Sequence, residues 1–237
     1  MQCLILAGGL GTRMRAQNPA LPKTLLPVAG RPFADWQLEW LASEGVESVI
    51  YSIGHRAELI RQFVQDGRQW GLTVTYVEET GELLGTGGAI RLASDQGVLD
   101  EHFFVLYGDS YLQVDLRAVD RAFDESGLPA LMTVYENLGE WVPSNVVFDG
   151  STVVEYRKGV DNPPPSMRYI DYGLSVLSQP TVTERIPSQQ RYDLADLMTQ
   201  LSSEHLLAGF LVRERFYEIG SPLGLEQLDE FLTSRPG

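Results

Sequence analysis

The 237-residue chain has one cysteine, Cys3, and three histidines. A single thiol rules out an intramolecular disulfide, which suits a reducing compartment and a cytoplasmic location. Cys3 falls in the apolar run 1–7 and so reads as a small buried hydrophobe rather than a reactive group. With so few His and Cys there is no transition-metal cluster, and any metal must be a hard cation held by carboxylates. No stretch approaches the ~18 consecutive apolar residues of a membrane span, and the N-terminus lacks the basic start and long apolar segment of a signal peptide. Positive charge is scarce: 18 Lys and Arg face 32 Asp and Glu, a net charge of −14. Such a field repels phosphate backbones, so nucleic acid and anionic membranes are excluded as general partners unless basic residues gather locally. The 43% hydrophobic and 21% charged fractions are those of an ordinary globular chain with a sizeable core, which excludes disordered and collagen-like classes.

In the first half, short apolar β-branched runs at 3–7, 49–53 and 74–77 alternate with helical patterns at 34–44 and 57–65, which predicts βαβ units and a parallel sheet covered on both faces. Gly45 and Gly71 stand where helical segments end. A continuous apolar strand at 102–107 stops at Gly108-Asp109, and 116–123 resumes a helical pattern. The second half carries short strands at 130–135, 145–148 and 152–156, with Asp149-Gly150 as a hairpin signal between the last two. The run Asp161-Asn162-Pro163-Pro164-Pro165-Ser166 can be neither helix nor central strand and is expected to be an exposed loop. Strands at 169–177, 206–212 and 216–219 and helices at 193–202 and 223–232 complete the chain. There is no internal repeat and no evident linker. The fold class expected is α/β, with 1–237 as one Rossmann-like domain whose mixed, mostly parallel sheet is flanked by helices.

The most informative stretch follows the first strand: Leu6-Ala7-Gly8-Gly9-Leu10-Gly11-Thr12-Arg13-Met14-Arg15. Three glycines in four positions let the backbone turn sharply and bring N–H groups against an anion. The spacing fits neither Gly-x-Gly-x-x-Gly nor a Walker A loop. Arg13 and Arg15 add fixed positive charge, the local cluster that the overall balance disfavours. Further on, Pro22-Lys23-Thr24-Leu25-Leu26-Pro27-Val28 places a lysine between stiffening prolines. Alone, the glycines read equally well as a tight turn and the lysine as a solvated side chain.

Together, residues 6–13 and 22–28 resemble the sugar-1-phosphate nucleotidyltransferases, whose signature is Leu-Ala-Gly-Gly-x-Gly-Thr-Arg followed by Pro-Lys-x-Leu-x-Pro-Val. Gly30-Arg31-Pro32-Phe33 continues the match, which looks most like the branch of heptose-1-phosphate and mannose-1-phosphate guanylyltransferases and N-acetylmuramate-1-phosphate uridylyltransferases. The resemblance implies an NTP and a sugar 1-phosphate as substrates. It implies nucleotide contacts from Leu6, Ala7, Gly8, Gly9, Gly11, Thr12 and Arg13 and from the turn Gly85-Thr86-Gly87, and catalytic roles for Arg13, Lys23 and Asp109. Asp109 ends a strand where open α/β sheets bind ligands, and the resemblance makes it a Mg²⁺ ligand. A second acidic ligand is expected in Asp-x-Gly-Thr-Pro, which here reads Glu218-Ile219-Gly220-Ser221-Pro222, one methylene longer at the carboxylate. Lys158, in Glu155-Tyr156-Arg157-Lys158, matches the lysine that reaches the sugar phosphate. Asp171, Tyr172 and Gly173 match the sugar-facing Asn-Ala-Gly, with Asp for Asn and Tyr for Ala.

The sugar phosphate is already an anionic nucleophile, so the implied chemistry needs no general base; it consists of alignment and charge neutralisation for in-line attack on the α-phosphorus. Two other readings stay open: a non-catalytic nucleotide-sugar binder on the same fold, and a nucleotidyltransferase acting on a non-sugar phosphate such as a molybdopterin or methylerythritol derivative. The resemblance carries no added C-terminal β-helix domain. The nucleobase, the sugar and the oligomeric state, a homo-oligomer included, are left open.

Overall fold

The computed structural model describes residues 1–9, 21–137, 139 and 143–234. In chain order these form β1 (Gln2–Leu6), β2 (Pro27–Val28), β3 (Arg31–Pro32), α1 (Phe33–Ser43), β4 (Ser48–Ile53), α2 (Ala57–Val64), β5 (Thr73–Glu78), α3 (Gly85–Asp95), β6 (His102–Tyr107), β7 (Ser110–Tyr111) and α4 (Leu116–Ser126). They continue with β8 (Ala130–Glu136), β9 (Val146–Phe148), β10 (Val153–Tyr156), β11 (Tyr169–Ser178), α5 (Gln179–Arg185), α6 (Leu194–Ser203), β12 (Leu207–Val212), β13 (Tyr217–Glu218) and α7 (Pro222–Thr233). The chain divides into two compact units: Met1–Leu83 with Leu106–Gln113 and Arg215–Gly237, and Leu84–Val105 with Val114–Glu214. No described helix is long and apolar enough to cross a membrane.

In the first unit β4 lies parallel to both β1 and β5, with Gln2 opposite Ser48 and Ser48 opposite Thr73. Cys3, Leu4, Ile5, Val49, Tyr51 and Ile53 are fully buried, as strands covered on both faces require. Burial pushes the Cys3 thiol pKa far up, in keeping with its reading as a core residue. The ladder runs to the end of the strand, because the Ala7 N–H donates to Ser52 O at 2.8 Å. Beyond it the backbones close up: a Cβ on Gly54 would stand 3.0 Å from Gly8 O, so a larger residue there would prise the two strand ends apart.

The second unit is mixed. β8 pairs parallel with β12 and antiparallel with β11, while β9 pairs antiparallel with β10 and β11. The predicted hairpin is present. Asp149 Oδ1 accepts from the N–H groups of Ser151 (2.9 Å) and Thr152 (2.8 Å), and Gly150 supplies φ +108°, the Asx-type chemistry that makes Asp-Gly a turn. In β11 the register shifts: Asp171 faces Val134 and Ser175 faces Met132, so three residues of one strand oppose one of the other. This bulge re-aims Asp171. α5 was not expected. Its Gln-Pro-Thr-Val-Thr-Glu-Arg sequence is β-branched, and Pro180 at its first turn costs a helix start nothing while suggesting a loop. Asp115 and Asp193 cap α4 and α6 through their side chains, which places both helix starts where an N-cap residue is found.

Candidate active site

In the first unit the strand ends converge on one centre. A Cβ on Gly108 would stand 2.8 Å from Leu6 O and 3.1 Å from the Ala7 Cβ, and the Gly108 N–H donates to Leu6 O at 3.0 Å. Only glycine lets β6 leave so close to the end of β1, and this puts Asp109 beside the Leu6-Ala7-Gly8-Gly9 segment. Glu218 arrives from β13, paired antiparallel with β7 so that Glu218 faces Ser110, and the Ile219 N–H donates to Asp109 O at 2.9 Å. Between the two carboxylates lies bare backbone. A Cβ on Gly220 would collide with the Glu218 carboxylate and stand 3.3 Å from Asp109 Oδ2. Lys23 opens a single 3-10 turn, Lys23–Leu25, behind Pro22 in an extended conformation. Its Nζ donates to Asp109 Oδ2 at 2.7 Å.

The longer arm of Glu218 is put to use locally. Its Oε2 accepts from the Gly220 N–H at 3.0 Å and its Oε1 from Ser221 Oγ at 2.8 Å, and Ser221 Oγ in turn accepts from Gly224 N at the start of α7. The turn therefore orients the carboxylate, and the Ser that replaces Thr supplies one of the donors. A Cβ on Gly8 would stand 2.7 Å from Glu79 Oε1 and 3.5 Å from the Gly54 N, so a larger residue there would displace only the tip of the Glu79 side chain. Gly11, Thr12, Arg13 and Arg15 lie outside the described residues.

The second unit holds the other expected residues. Lys158 Nζ donates to Asp193 Oδ2, and Asp193 Oδ1 accepts from Thr86 Oγ1 (3.0 Å) and the Ala195 N–H (3.1 Å). Burial raises the Asp193 pKa, but the Lys158, Ala195 and Thr86 hydrogen bonds outweigh it and hold the group below its ordinary value. The Gly85-Thr86-Gly87 turn packs on the segment before α6: the Gly87 and Gly88 N–H groups both donate to Tyr192 O (3.0 and 3.1 Å), and Cβ atoms at Gly85 and Gly87 would meet Tyr192 O and its ring at 2.7 Å. Asp171 is half-buried. Its N–H donates to Asn145 Oδ1 (3.0 Å), and its Oδ1 accepts from the Gly173 N–H (3.0 Å). Burial pushes its pKa up to about 6 against the pull of Gly173 and Lys158. The Tyr172 ring is 1 % exposed and stacks on Tyr135, so its side chain is core.

Two carboxylates meeting over a glycine, with a lysine on one of them, fit a hard divalent cation that completes its oxygen shell from bound phosphates. Sequence reasoning missed Asp193, which stood only as the first residue of the helix expected at 193–202. It also missed Gln37, a polar residue on the buried stripe of α1.

A family model described as nucleotidyl transferase matches residues 2–138. The chain is 28% identical over 214 residues to UTP–glucose-1-phosphate uridylyltransferase of Synechocystis, covering 85% of this chain and 55% of that protein. It is 37% identical over 117 residues to D-glycero-α-D-manno-heptose 1-phosphate guanylyltransferase of Aneurinibacillus thermoaerophilus, covering 49% and 50%. The chain thus spans about half the length of these curated relatives. A solved structure from Bacillus anthracis, described as a candidate glucose-1-phosphate thymidylyltransferase in complex with sucrose, superposes with a TM-score of 0.87 at 17% identity, covering 100% of this chain and 97% of that one. This likeness shows the fold. With more than half of its length matched by the family model, the chain belongs to the nucleotidyl transferase family.

Proposed function

We propose that the chain transfers a nucleotidyl group from an NTP to a sugar 1-phosphate. An oxygen of the sugar phosphate attacks the α-phosphorus in line, the bond from that phosphorus to the bridging oxygen breaks, and pyrophosphate leaves with the electron pair. The observation that carries this reading is the meeting of Asp109, Glu218 and Lys23 at the ends of β6 and β13. Asp109 and Glu218 would hold Mg²⁺, which when bound neutralises phosphate charge and orients the α-phosphate. Lys23, released from Asp109, would hold the attacking and α-phosphates, and Arg13 would stabilise the departing pyrophosphate. Leu6, Ala7, Gly8, Gly9, Gly11 and Thr12 would be nucleotide contacts, as would Gly85, Thr86 and Gly87. Lys158 would contact the sugar phosphate, and Asp171 and Gly173 the sugar, with Tyr172 limited to its backbone because its ring is core. The two named relatives transfer to sugar 1-phosphates but use different bases, so the test is pyrophosphate release across the four NTPs crossed with glucose, mannose, heptose, glucosamine and N-acetylmuramate 1-phosphates. Release with at least one pair is expected. Nucleotide binding with no release for any pair would favour a non-catalytic binder.

A further inference from the structure

Gln37 lies midway along α1 on a stripe shared with Phe33, Ala34, Leu38 and Leu41, and like them it is fully buried. A buried amide is costly unless its polar atoms are used. Its Nε2 donates twice, to Tyr107 O at 3.1 Å and to Ser110 O at 2.9 Å. Those two carbonyls bracket Gly108-Asp109. Two carbonyl oxygens demand a donor, so the NH₂ must face them, and the buried Oε1 is left without a hydrogen-bond partner among the described residues. The same turn is tied by the Gly108 N–H to Leu6 O and by the Ile219 N–H to Asp109 O. Those two ties are backbone bonds that many sequences could make. The third depends on the side chain at position 37, and it is kept at the expense of an unsatisfied acceptor.

We propose that Gln37 is a positioning residue for Asp109: its amide locks the 107–110 turn so that the carboxylate is presented to Lys23, to Glu218 and to the divalent cation. This rests on the reading of Asp109 as a cation ligand. Methionine at 37 would keep the volume but strand both carbonyls, letting the turn relax. Glutamate would donate only while protonated and would repel both carbonyls when ionised.

The test compares Gln37→Met, Gln37→Glu and the packing control Leu38→Ala by Mn²⁺ binding, read from loss of the free-ion EPR signal, alongside thermal denaturation and the Mg²⁺ dependence of pyrophosphate release. Gln37→Met should weaken Mn²⁺ binding about 10-fold, as loss of a partner behind a metal ligand does. The Mg²⁺ needed for half-maximal release should rise similarly, with kcat at saturating Mg²⁺ within about twofold of the parent. Leu38→Ala should lower the melting temperature without moving cation binding. Gln37→Glu should approach parental Mn²⁺ binding at acid pH and fall away from it as pH rises. Parental Mn²⁺ binding in Gln37→Met overturns the proposal, and so does an equal loss in Leu38→Ala. Should Gln37→Met not fold, a pH-independent ratio between Gln37→Glu and the parent overturns it. Asp109→Ala separates the two layers: intact Mn²⁺ binding in that variant removes the functional reading and this inference together, whereas loss there with no effect at position 37 removes the inference alone.

Discussion

The two lysines proposed to handle phosphate are held differently. Lys23 and Asp109 are 17% and 28% exposed, whereas Lys158 and Asp193 are 62% and 40% exposed. In the first pair Asp109 sits on a turn tied by backbone bonds and by the Gln37 amide; the second pair faces solvent, where an ion pair is screened and contributes little to stability. Where water is excluded, a charge is stronger and already oriented. On the proposed reading, the lysine assigned to the transferred phosphate is the more enclosed and the lysine assigned to the sugar phosphate the more exposed.

That contrast sets the order of effects. Lys23→Ala and Asp109→Ala should each lower kcat by ~10²–10³, measured as pyrophosphate release at saturating substrates. Lys158→Ala should act mainly on the sugar side, raising its KM by ~10-fold while leaving the KM for NTP unchanged. A drop in kcat equal to that of Lys23→Ala would erase the distinction between the two ends. The smallest effect is on stability. In the folded state burial holds the Asp171 pKa at about 6, above its ordinary value. Folded protein therefore binds more protons than unfolded between about pH 4 and pH 6, and this group costs stability as pH rises through that window. Asp171→Asn removes the cost, so melting temperature should rise by ~3 °C at pH 8 and not at pH 4. An equal gain at both pH values would assign the effect to packing instead.

Much of this was legible in residue order. Strand-helix alternation marked the parallel first half, Asp149-Gly150 marked the hairpin of the second, the lysine motif singled out Lys23, and the family resemblance singled out Asp109 and Glu218, which the structure brings together with it. The rest depends on partners distant in sequence. Gln37 meets Tyr107 and Ser110 some 70 positions away, and Asp193 meets Lys158 and Thr86. A pattern of residue types cannot show that a helix cap also holds a lysine. Nor could substitution of Asp for Asn at 171 reveal the bulge that half-buries it, because the bulge arises from a register shift between two strands. Tyr172 is the reverse case: its place in a sugar-facing motif masked a ring that packs inward on Tyr135.

The central claim is that Asp109, Glu218 and Lys23 form a cation-dependent nucleotidyl-transfer centre. Its most direct test is pyrophosphate release from the NTP that the substrate screen selects, with its sugar 1-phosphate, in Mg²⁺ and in excess EDTA, for the parent and for Asp109→Ala. Release in the parent that vanishes with EDTA and falls at least ~10²-fold in Asp109→Ala is predicted. Undiminished release in EDTA, or parental turnover in Asp109→Ala, would contradict it.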